Sequence, residues 1–319
     1  MGSGTKAGVF EVDQVHGVLQ VSDQRYCADR FRPFLVPLAI DKLLIVVPGS
    51  FHHHLWSMRI SSLYVHPIKS LVSVTVQEMV TTDRGARHDR RWMLVDAQGR
   101  FITQREHPEL VRFSLEVGNE RMVIGHPKAS TIEVPLALDK GTELRVQVWS
   151  SKVKAWQGDP AWDRWFSEAL ATDVRLVYMP DMSERRVNWY YAKRKALTAF
   201  TDGYPYLVIG QASLDDLNAR LSTPVPMDRF RPNIVVSGGE AFAEDAWTDV
   251  RMGNATFRRV KPCSRCVITT TDQRTGERGK EPLKTLSTYR RKGNAVNFGQ
   301  NLIGLEQGVL RVGDAVRAC

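Results

Sequence analysis

The sequence predicts a mainly β protein with a few helices, an α+β fold in which the strands form two β-rich regions. Short segments of alternating apolar and polar residues, separated by turn residues, run from residue 58 to about residue 156 and return near residue 233. Many short strands with regular turns are typical of a barrel or a sandwich. Between the two regions the apolar spacing changes to that of a helix.

The first β-rich region opens at Met58, where a strand-like alternation begins abruptly. Gly118-Asn119 and Ser150-Ser151 mark turns between later segments of the same kind. On this pattern we predict four more strands in the region, at 111–117, 122–124, 144–148 and 153–156.

Two helices are predicted where the period changes. Asp159 is a good N-cap with Pro160 at the first helical position, and apolar residues follow at helical spacing as far as Leu170. Ser213 resembles the start of a capping box, and the leucines at 214, 217 and 221 form the buried stripe of the second helix.

Further strands complete the pattern on either side of the second helix. The basic stretch 183–197 has little periodicity and is predicted to be a long loop, and two sub-domains are expected to meet near 175–190. The additional strands are predicted at 174–178, 233–236, 255–260 and 266–270.

Composition bounds the size and the class of the protein. With 319 residues and 43% apolar content, the chain can bury a sizeable core, as one large domain or two smaller ones. The net charge of +9 is scattered, and its densest run, 185–195, contains Trp189, Tyr190 and Tyr191. We interpret this run as a solvated basic loop that faces a small anionic ligand, and we expect no nucleic-acid polymer as partner.

Residues 1–57 differ from the rest of the chain, and we predict that they are a non-native or unstructured N-terminal extension. The apolar stretch 34–48 is interrupted by Asp41, Lys42 and prolines, so it is too short and too polar to span a bilayer. It also lacks the cationic flank and the cleavage site of a secretory signal. His52-His53-His54 is interpreted as incidental. We therefore expect no membrane association.

The four cysteines, Cys27, Cys263, Cys266 and Cys319, form no disulfide framework, which favours a reducing cytoplasm. Cys263-Ser-Arg-Cys266 is the sharpest local feature. A zinc site would require a second pair of ligands, and a thioredoxin-like pair should open a helix. Cys266 instead precedes a β-branched run, and Arg265 would favour its thiolate, as a soft-metal ligand or a sulfur acceptor needs. Two small buried residues in a strand are an equally good explanation of the spacing.

Three other segments carry polar side chains suited to an anion, although each alone could be an ordinary turn or surface. Asp228-Arg-Phe-Arg-Pro-Asn233 offers the guanidinium fork of Arg231 and the amide of Asn233. His66-Pro-Ile-Lys-Ser70 ends in a cation and a hydroxyl. The third is Asp89-Arg-Arg-Trp92 together with Thr103-Gln-Arg105.

Taken in order, these segments resemble one family. From Met58 to about Val316 the chain resembles MOSC-domain proteins with an MOSC N-terminal β-barrel, such as the YcbX-like proteins and the mitochondrial amidoxime-reducing component. The resemblance implies an MOSC N-terminal β-barrel-like domain at 58–180 and an MOSC β-barrel domain at 181–319. It rests on the following segments: His66–Ser70, Asp89–Val95, Phe101–Arg105, Thr201–Pro205, Gly210–Leu217, Arg229–Val235, Ala243–Trp247, Cys263–Thr270, Thr275–Gly276, Glu281–Thr285 and Phe298–Gln300.

The resemblance implies a molybdenum cofactor, in which the metal is held by the dithiolene of one pterin. It makes Cys266 the catalytic residue and the protein ligand of the metal, with Cys263 as the alternative. The cofactor's phosphate is anionic, so charge-assisted donors suit it. The cofactor-binding residues implied by the family are Lys69, Ser70, Arg90, Gly203, Tyr204, Arg231, Asn233, Ser264, Arg265 and Asn301.

The resemblance also implies a function, a reductase of N-hydroxylated small molecules such as hydroxylaminopurines and amidoximes. YcbX-like chains often continue into a ferredoxin-like domain. Because this chain ends at Cys319 without that cysteine pattern, we expect no iron–sulfur cluster in it and a separate electron donor, either a ferredoxin or a flavoprotein/iron–sulfur reductase. Two alternatives stay open: sulfur transfer through a cysteine persulfide, and binding or delivery of the cofactor without catalysis.

Overall fold

The computed structural model describes residues 58–318. The predictions for residues 1–57, and those for Cys27 and Cys319, lie outside this range. No helix within it has the length and apolarity needed to cross a bilayer.

Strands dominate the described residues, which confirms the mainly β fold with a few helices. The helices are α1 (Pro160–Leu170), α2 (Trp189–Ala192), α3 (Gln211–Ala219) and α4 (Leu283–Tyr289). The strands are β1 (Arg59–Val65), β2 (Val74–Val76), β3 (Glu78–Thr82), β4 (Gly85–Ala86), β5 (Trp92–Val95), β6 (Ser114–Val117), β7 (Arg121–His126), β8 (Ala129–Pro135), β9 (Thr142–Val148), β10 (Ser151–Gln157), β11 (Arg175–Tyr178), β12 (Tyr206–Gly210), β13 (Ile234–Ser237), β14 (Asp249–Met252), β15 (Ala255–Ser264), β16 (Arg291–Lys292), β17 (Ala295–Glu306), β18 (Val309–Arg311) and β19 (Val316–Ala318).

The largest sheet of the described chain is a barrel. Its strand order is β19-β14-β15-β17-β12-β13-β1-β2, with β16 paired to β17. The sheet closes on itself between β1 and the segment of β19, because the backbone N–H of Ile60 donates to the carbonyl of Asp314 (2.9 Å) and that of Val316 donates to the carbonyl of Met58 (2.7 Å). Side chains of the strands, such as Val208 and Phe257, fill the interior.

A second core surrounds the four-stranded sheet β5-β11-β10-β9. The continuous apolar run of β5 is explained by burial on both faces: Trp92 and Leu94 pack on one side with α1, and Met93 and Val95 pack on the other. Smaller sheets, β6-β7-β8 and β18-β3-β4, accompany these two.

The two predicted domains do not each correspond to one separate core. Strands β1 and β2 belong to the range 58–180, yet they pair in the same barrel as strands from the range 181–319. The domain boundaries themselves stay a prediction.

Several element predictions were wrong in detail. Residues 267–270 form a 3₁₀ turn rather than a strand, because the hydroxyls of Thr269 and Thr270 donate to carbonyls three residues earlier, at 3.0 and 2.8 Å, and stabilise the turn. Ser213 lies inside α3 and not at its N-cap, since its buried hydroxyl donates to Glu244. Val111 belongs to a 3₁₀ turn, and the predicted loop 183–197 contains α2.

Candidate functional site

A cavity of about 300 Å³ brings together every site residue predicted from the sequence. Its walls combine segments that lie far apart in the chain, most of which come directly before or after a strand. The predicted residues that line it are Lys69, Ser70, Arg90, Gly203, Tyr204, Arg231, Asn233, Ser264, Arg265, Cys266 and Asn301. Cys263 lines it as well.

One carboxylate links two cations at the cavity wall. The Oδ1 atom of Asp202 accepts a hydrogen bond from Lys69 Nζ (2.6 Å), and its Oδ2 atom accepts one from Arg105 Nη2 (2.7 Å). Burial would raise the pKa of Asp202, but Lys69 and Arg105 outweigh that effect and hold the pKa well below its usual range. Desolvation lowers the pKa of Lys69 to about 8 in spite of Asp202. Asp202 therefore fixes the positions of both cations.

A buried arginine holds the loop that carries Asp202. Arg185 donates from Nη1 to the carbonyls of Ala199 (2.9 Å) and Thr201 (2.7 Å), and from Nη2 to that of Asp202 (3.1 Å). Because Arg185 is buried and structural, it departs from the solvated basic loop predicted for this run.

A second group of bonds fixes Arg90 and Asn233. Arg90 donates to Asn233 Oδ1 (3.2 Å) and to the carbonyl of Arg231 (3.3 Å). The buried amide of Asn233 also accepts from Leu207 N (3.3 Å) and donates to the carbonyl of Tyr64 (3.2 Å). The amide of Asn233 thus joins strands and positions Arg90, in addition to lining the cavity.

Three cavity residues have left-handed backbone conformations that non-glycine residues rarely adopt. The φ angles are 67° at Ser70, 49° at Arg90 and 54° at Arg231. Such conformations cost about 1–3 kcal/mol each and concentrate at ligand-binding sites. At these three positions the strained backbone conformation lowers local stability, and it presents a side chain or an N–H group to the cavity.

Guanidinium groups around the cavity keep buried donors for which residues 58–318 supply no hydrogen-bond partner, among them Arg231 Nη2 and Arg265 Nη2. Arg265 uses its other donors on the carbonyls of Phe298 (2.8 Å) and Phe230 (3.0 Å). Desolvation lowers the pKa of Arg231 and of Arg265. An unpaired buried donor costs about 1–3 kcal/mol, so an anion bound among these groups would remove that cost. The residues present fit an anionic cofactor.

Cys263 lies near the end of β15 and Cys266 follows shortly after the strand, and both line the same cavity. Burial raises the pKa of the Cys263 thiol, although Arg265 opposes the effect. Burial would lower the pKa of Arg105, but Asp202 and then Cys266 outweigh it and raise that pKa. Arg105 is thus an electrostatic partner of Cys266 in addition to Arg265, the residue to which the sequence assigned this role.

Several residues of the cavity were missing from the predicted site. Arg105 and Asp202 lie in motifs that carry the family resemblance, Phe101–Arg105 and Thr201–Pro205, and those motifs were the signal that could have identified them. Phe230, Ile268 and Thr269 also line the cavity and lie in two further motifs of this kind, Arg229–Val235 and Cys263–Thr270. Leu207 and Lys261 line the cavity but lie outside these motifs, so they had no such signal.

Comparison with known proteins defines the class first. A model of the MOSC N-terminal beta barrel domain matches residues 57–173, and a model of the MOSC domain matches residues 196–317. The chain belongs to the MOSC-domain proteins that carry this N-terminal barrel.

Within that class, the chain belongs to the family of the amidoxime-reducing components. It is 37% identical to "Mitochondrial amidoxime reducing component 2" of Rattus norvegicus, over 81% of this chain and 82% of that protein. It is 33% identical to "Mitochondrial amidoxime-reducing component 1" of Homo sapiens, over the same shares of the two chains.

Proposed function

We propose that this protein is a molybdenum-cofactor-dependent reductase of N-hydroxylated compounds, with amidoximes and N-hydroxylated purines as candidate substrates. The observation that carries the proposal is the cavity, in which Cys266 lies among Lys69, Arg105, Arg231 and Arg265. A soft thiolate beside unpaired cationic donors suits a metal held on an anionic organic cofactor. Membership of the amidoxime-reducing component family supports the substrate class.

The chain's own residues would hold and orient the cofactor. Lys69, Arg231 and Arg265 would bind its anionic group, with Ser70 and Ser264 beside them, and Cys266 would supply the thiolate ligand. When bound, the cofactor supplies the redox chemistry that removes oxygen from the substrate nitrogen. Asp202 keeps Lys69 and Arg105 in place, and Arg185 holds the loop of Asp202.

The reaction needs an external source of electrons. An N-hydroxylated substrate takes up two electrons and two protons, its N–OH group becomes N–H, and one water is released. We propose that a separate protein supplies these electrons, either a ferredoxin or a flavoprotein/iron–sulfur reductase. The cytoplasm stays our proposed location, which cell fractionation would test, since the relatives named above are mitochondrial.

The decisive experiment compares the two cysteines in protein from a molybdenum-replete host. Cys266→Ala should lose both bound molybdenum and the reduction of a model amidoxime, because the metal loses its protein ligand. Cys263→Ala is the matched control and should retain most of the metal. Equal molybdenum in wild type and Cys266→Ala would overturn the assignment of the ligand.

The same samples separate the alternative functions. Stoichiometric molybdenum without turnover under any electron donor would favour a cofactor carrier. A persulfide on Cys266 in protein without molybdenum, found by mass spectrometry, would favour sulfur transfer.

A further inference from the structure

The segment that carries α2 is firmly attached to the barrel. It folds back on itself, with Val187 N donating to the carbonyl of Ala196 (2.9 Å) and Thr198 N donating to that of Arg185 (2.9 Å). Val187 and Ala192 are buried against Ile303 of β17. The backbone of this segment is therefore held in place while its tip points outward.

The tip exposes large aromatic side chains. Trp189 is 65% exposed and Tyr190 is 69% exposed, whereas the neighbouring Ala192 is buried. The side chain of Asn188 caps α2 by accepting from Tyr190 N (2.9 Å), which fixes the turn that presents the two rings. Exposed aromatic side chains on an ordered backbone are typical of interaction surfaces, where Trp, Tyr and Arg contribute most of the binding energy.

The same tip is strongly basic. Arg186, Lys193, Arg194 and Lys195 are all exposed. Glu184 pairs with Arg186 (3.2 Å) and Lys195 (3.1 Å), while within residues 58–318 no acidic partner is found for Lys193 or Arg194. Lys193 Nζ lies 4.7 Å from the centre of the Tyr190 ring. We call the surface formed by Trp189, Tyr190, Tyr191, Lys193 and Arg194 the aromatic rim.

The aromatic rim borders the cavity. The ring of Tyr191 lies 4.3 Å from Lys261 Nζ, and Lys261 lines the cavity together with Tyr204. Tyr204 also packs against the apolar cluster that contains Val187 and Ala192 of the α2 segment. A molecule bound at the rim would therefore lie beside the entrance to the proposed redox centre.

We propose that the aromatic rim is the docking surface for an acidic one-electron carrier protein, which delivers electrons to the cofactor in the cavity. This proposal rests on the proposed reductase function. Lys193 and Arg194 would steer an acidic partner, and Trp189 and Tyr190 would form the desolvated centre of the contact. An anionic membrane would also attract this surface, but the position beside the cavity favours the carrier, because electron transfer requires a short path to the metal. Each carrier gives up one electron, so two encounters supply one substrate reduction.

The test uses reduced [2Fe–2S] ferredoxin as the acidic carrier and reduced methyl viologen as a small reductant that needs no docking surface. Lys193→Glu/Arg194→Glu and Trp189→Ala/Tyr190→Ala are compared with wild type. Lys128→Glu/Lys140→Glu, two exposed lysines that do not line the cavity, is the control with the same charge change. At low ionic strength, both rim variants should lower ferredoxin-driven kcat/KM roughly tenfold. Methyl viologen-driven turnover should stay unchanged in all variants.

Other outcomes would overturn the proposal. Rim variants that match wild type with ferredoxin, or a wild type that accepts electrons from methyl viologen but not from ferredoxin, would show that the rim is not this docking surface. Loss of binding to phosphatidylcholine/phosphatidylserine vesicles in Trp189→Ala/Tyr190→Ala, with unchanged ferredoxin kinetics, would assign the rim to a membrane instead.

Failure of the function itself would have a different signature. If the wild type showed no turnover with methyl viologen, the reductase proposal would fall. Carbodiimide cross-linking of ferredoxin to Lys193, weakened by Trp189→Ala/Tyr190→Ala, would still report whether the rim binds the carrier.

Discussion

At the residue scale, the cavity is lined by several buried cations. Lys69 and the guanidinium groups of Arg231 and Arg265 have lost much of their hydration, and desolvation lowers the pKa of each. Asp202 is a counter-ion for Lys69 and Arg105. Asp202 neutralises part of the buried positive charge and so lowers the free-energy cost of burying it. The remaining positive charge attracts an anion.

The lowered pKa of Lys69 predicts a pH-dependent affinity for anions. In the free protein Lys69 loses its proton as the pH rises through about 8, so an anion that needs this charge should bind most tightly below that pH. Sulfate is a suitable probe because its charge does not change between pH 7 and 9. We expect sulfate to bind the cofactor-free protein roughly tenfold more weakly at pH 9 than at pH 7, as measured by calorimetry.

Lys69→Arg is the control for this prediction, since a guanidinium stays charged throughout the range. Its sulfate affinity should change little with pH. A wild-type affinity that is equally flat would show that Lys69 does not contribute its charge to anion binding.

The sequence predicted which residues line the cavity better than it predicted the hydrogen-bond partners of those residues. Lys69, Arg231 and Cys266 could be placed in the site because they lie in short motifs that keep a family order. Asp202 bonds to Lys69 and Arg105, which lie 133 and 97 residues away in the chain. Such pairings depend on how the two cores meet, and no local pattern in the sequence records them.

At the element scale, local chemistry predicted the elements that have strong end signals. Asp159 caps α1 by accepting from Ala161 N (2.8 Å), and Pro160 begins the helix, as expected. The run Val267–Thr270 was misread as a strand, because β-branched composition favours strands while the threonine hydroxyls here stabilise a turn. Propensity alone could not reveal those hydrogen bonds.

The C-terminal end of α1 provides a test of backbone strain. Ala171 has a φ of 51° and its N–H donates to the carbonyl of Glu168 (3.3 Å). Helices that end in this left-handed conformation usually carry glycine at that position. Ala171→Gly should raise the free energy of unfolding by about 0.5–1 kcal/mol, because glycine adopts the left-handed conformation without a steric cost. Thermal or urea unfolding would measure this change.

A helix-interior substitution serves as the control. Ala169→Gly in the same helix should destabilise the protein, since glycine lowers helix stability and Ala169 is buried. A destabilising effect of Ala171→Gly would show that the left-handed conformation is not what limits the stability of this end.

At the scale of the whole molecule, the cavity depends on the association of the two β-rich regions. Gln104 donates to the carbonyl of Ser70 (2.8 Å), and Arg278 donates to the carbonyl of Arg105 (3.0 Å). These bonds tie the loop of Arg105 to both Ser70 and the segment after Cys266. The cavity therefore exists only in the complete fold, so a sequence pattern could predict its members but not its shape.

The hydrogen bonds that close the barrel predict where the folded unit begins. The barrel closes at Met58, whose carbonyl accepts from Val316 N, and β1 begins at Arg59. A chain that starts at Met58 should therefore keep the thermal unfolding midpoint and the molybdenum content of the full chain. A chain that starts after β1 is the control and should not fold, since β1 pairs with both β13 and β2. Insolubility or loss of molybdenum in the chain from Met58 would instead show that residues 1–57 contribute to the fold.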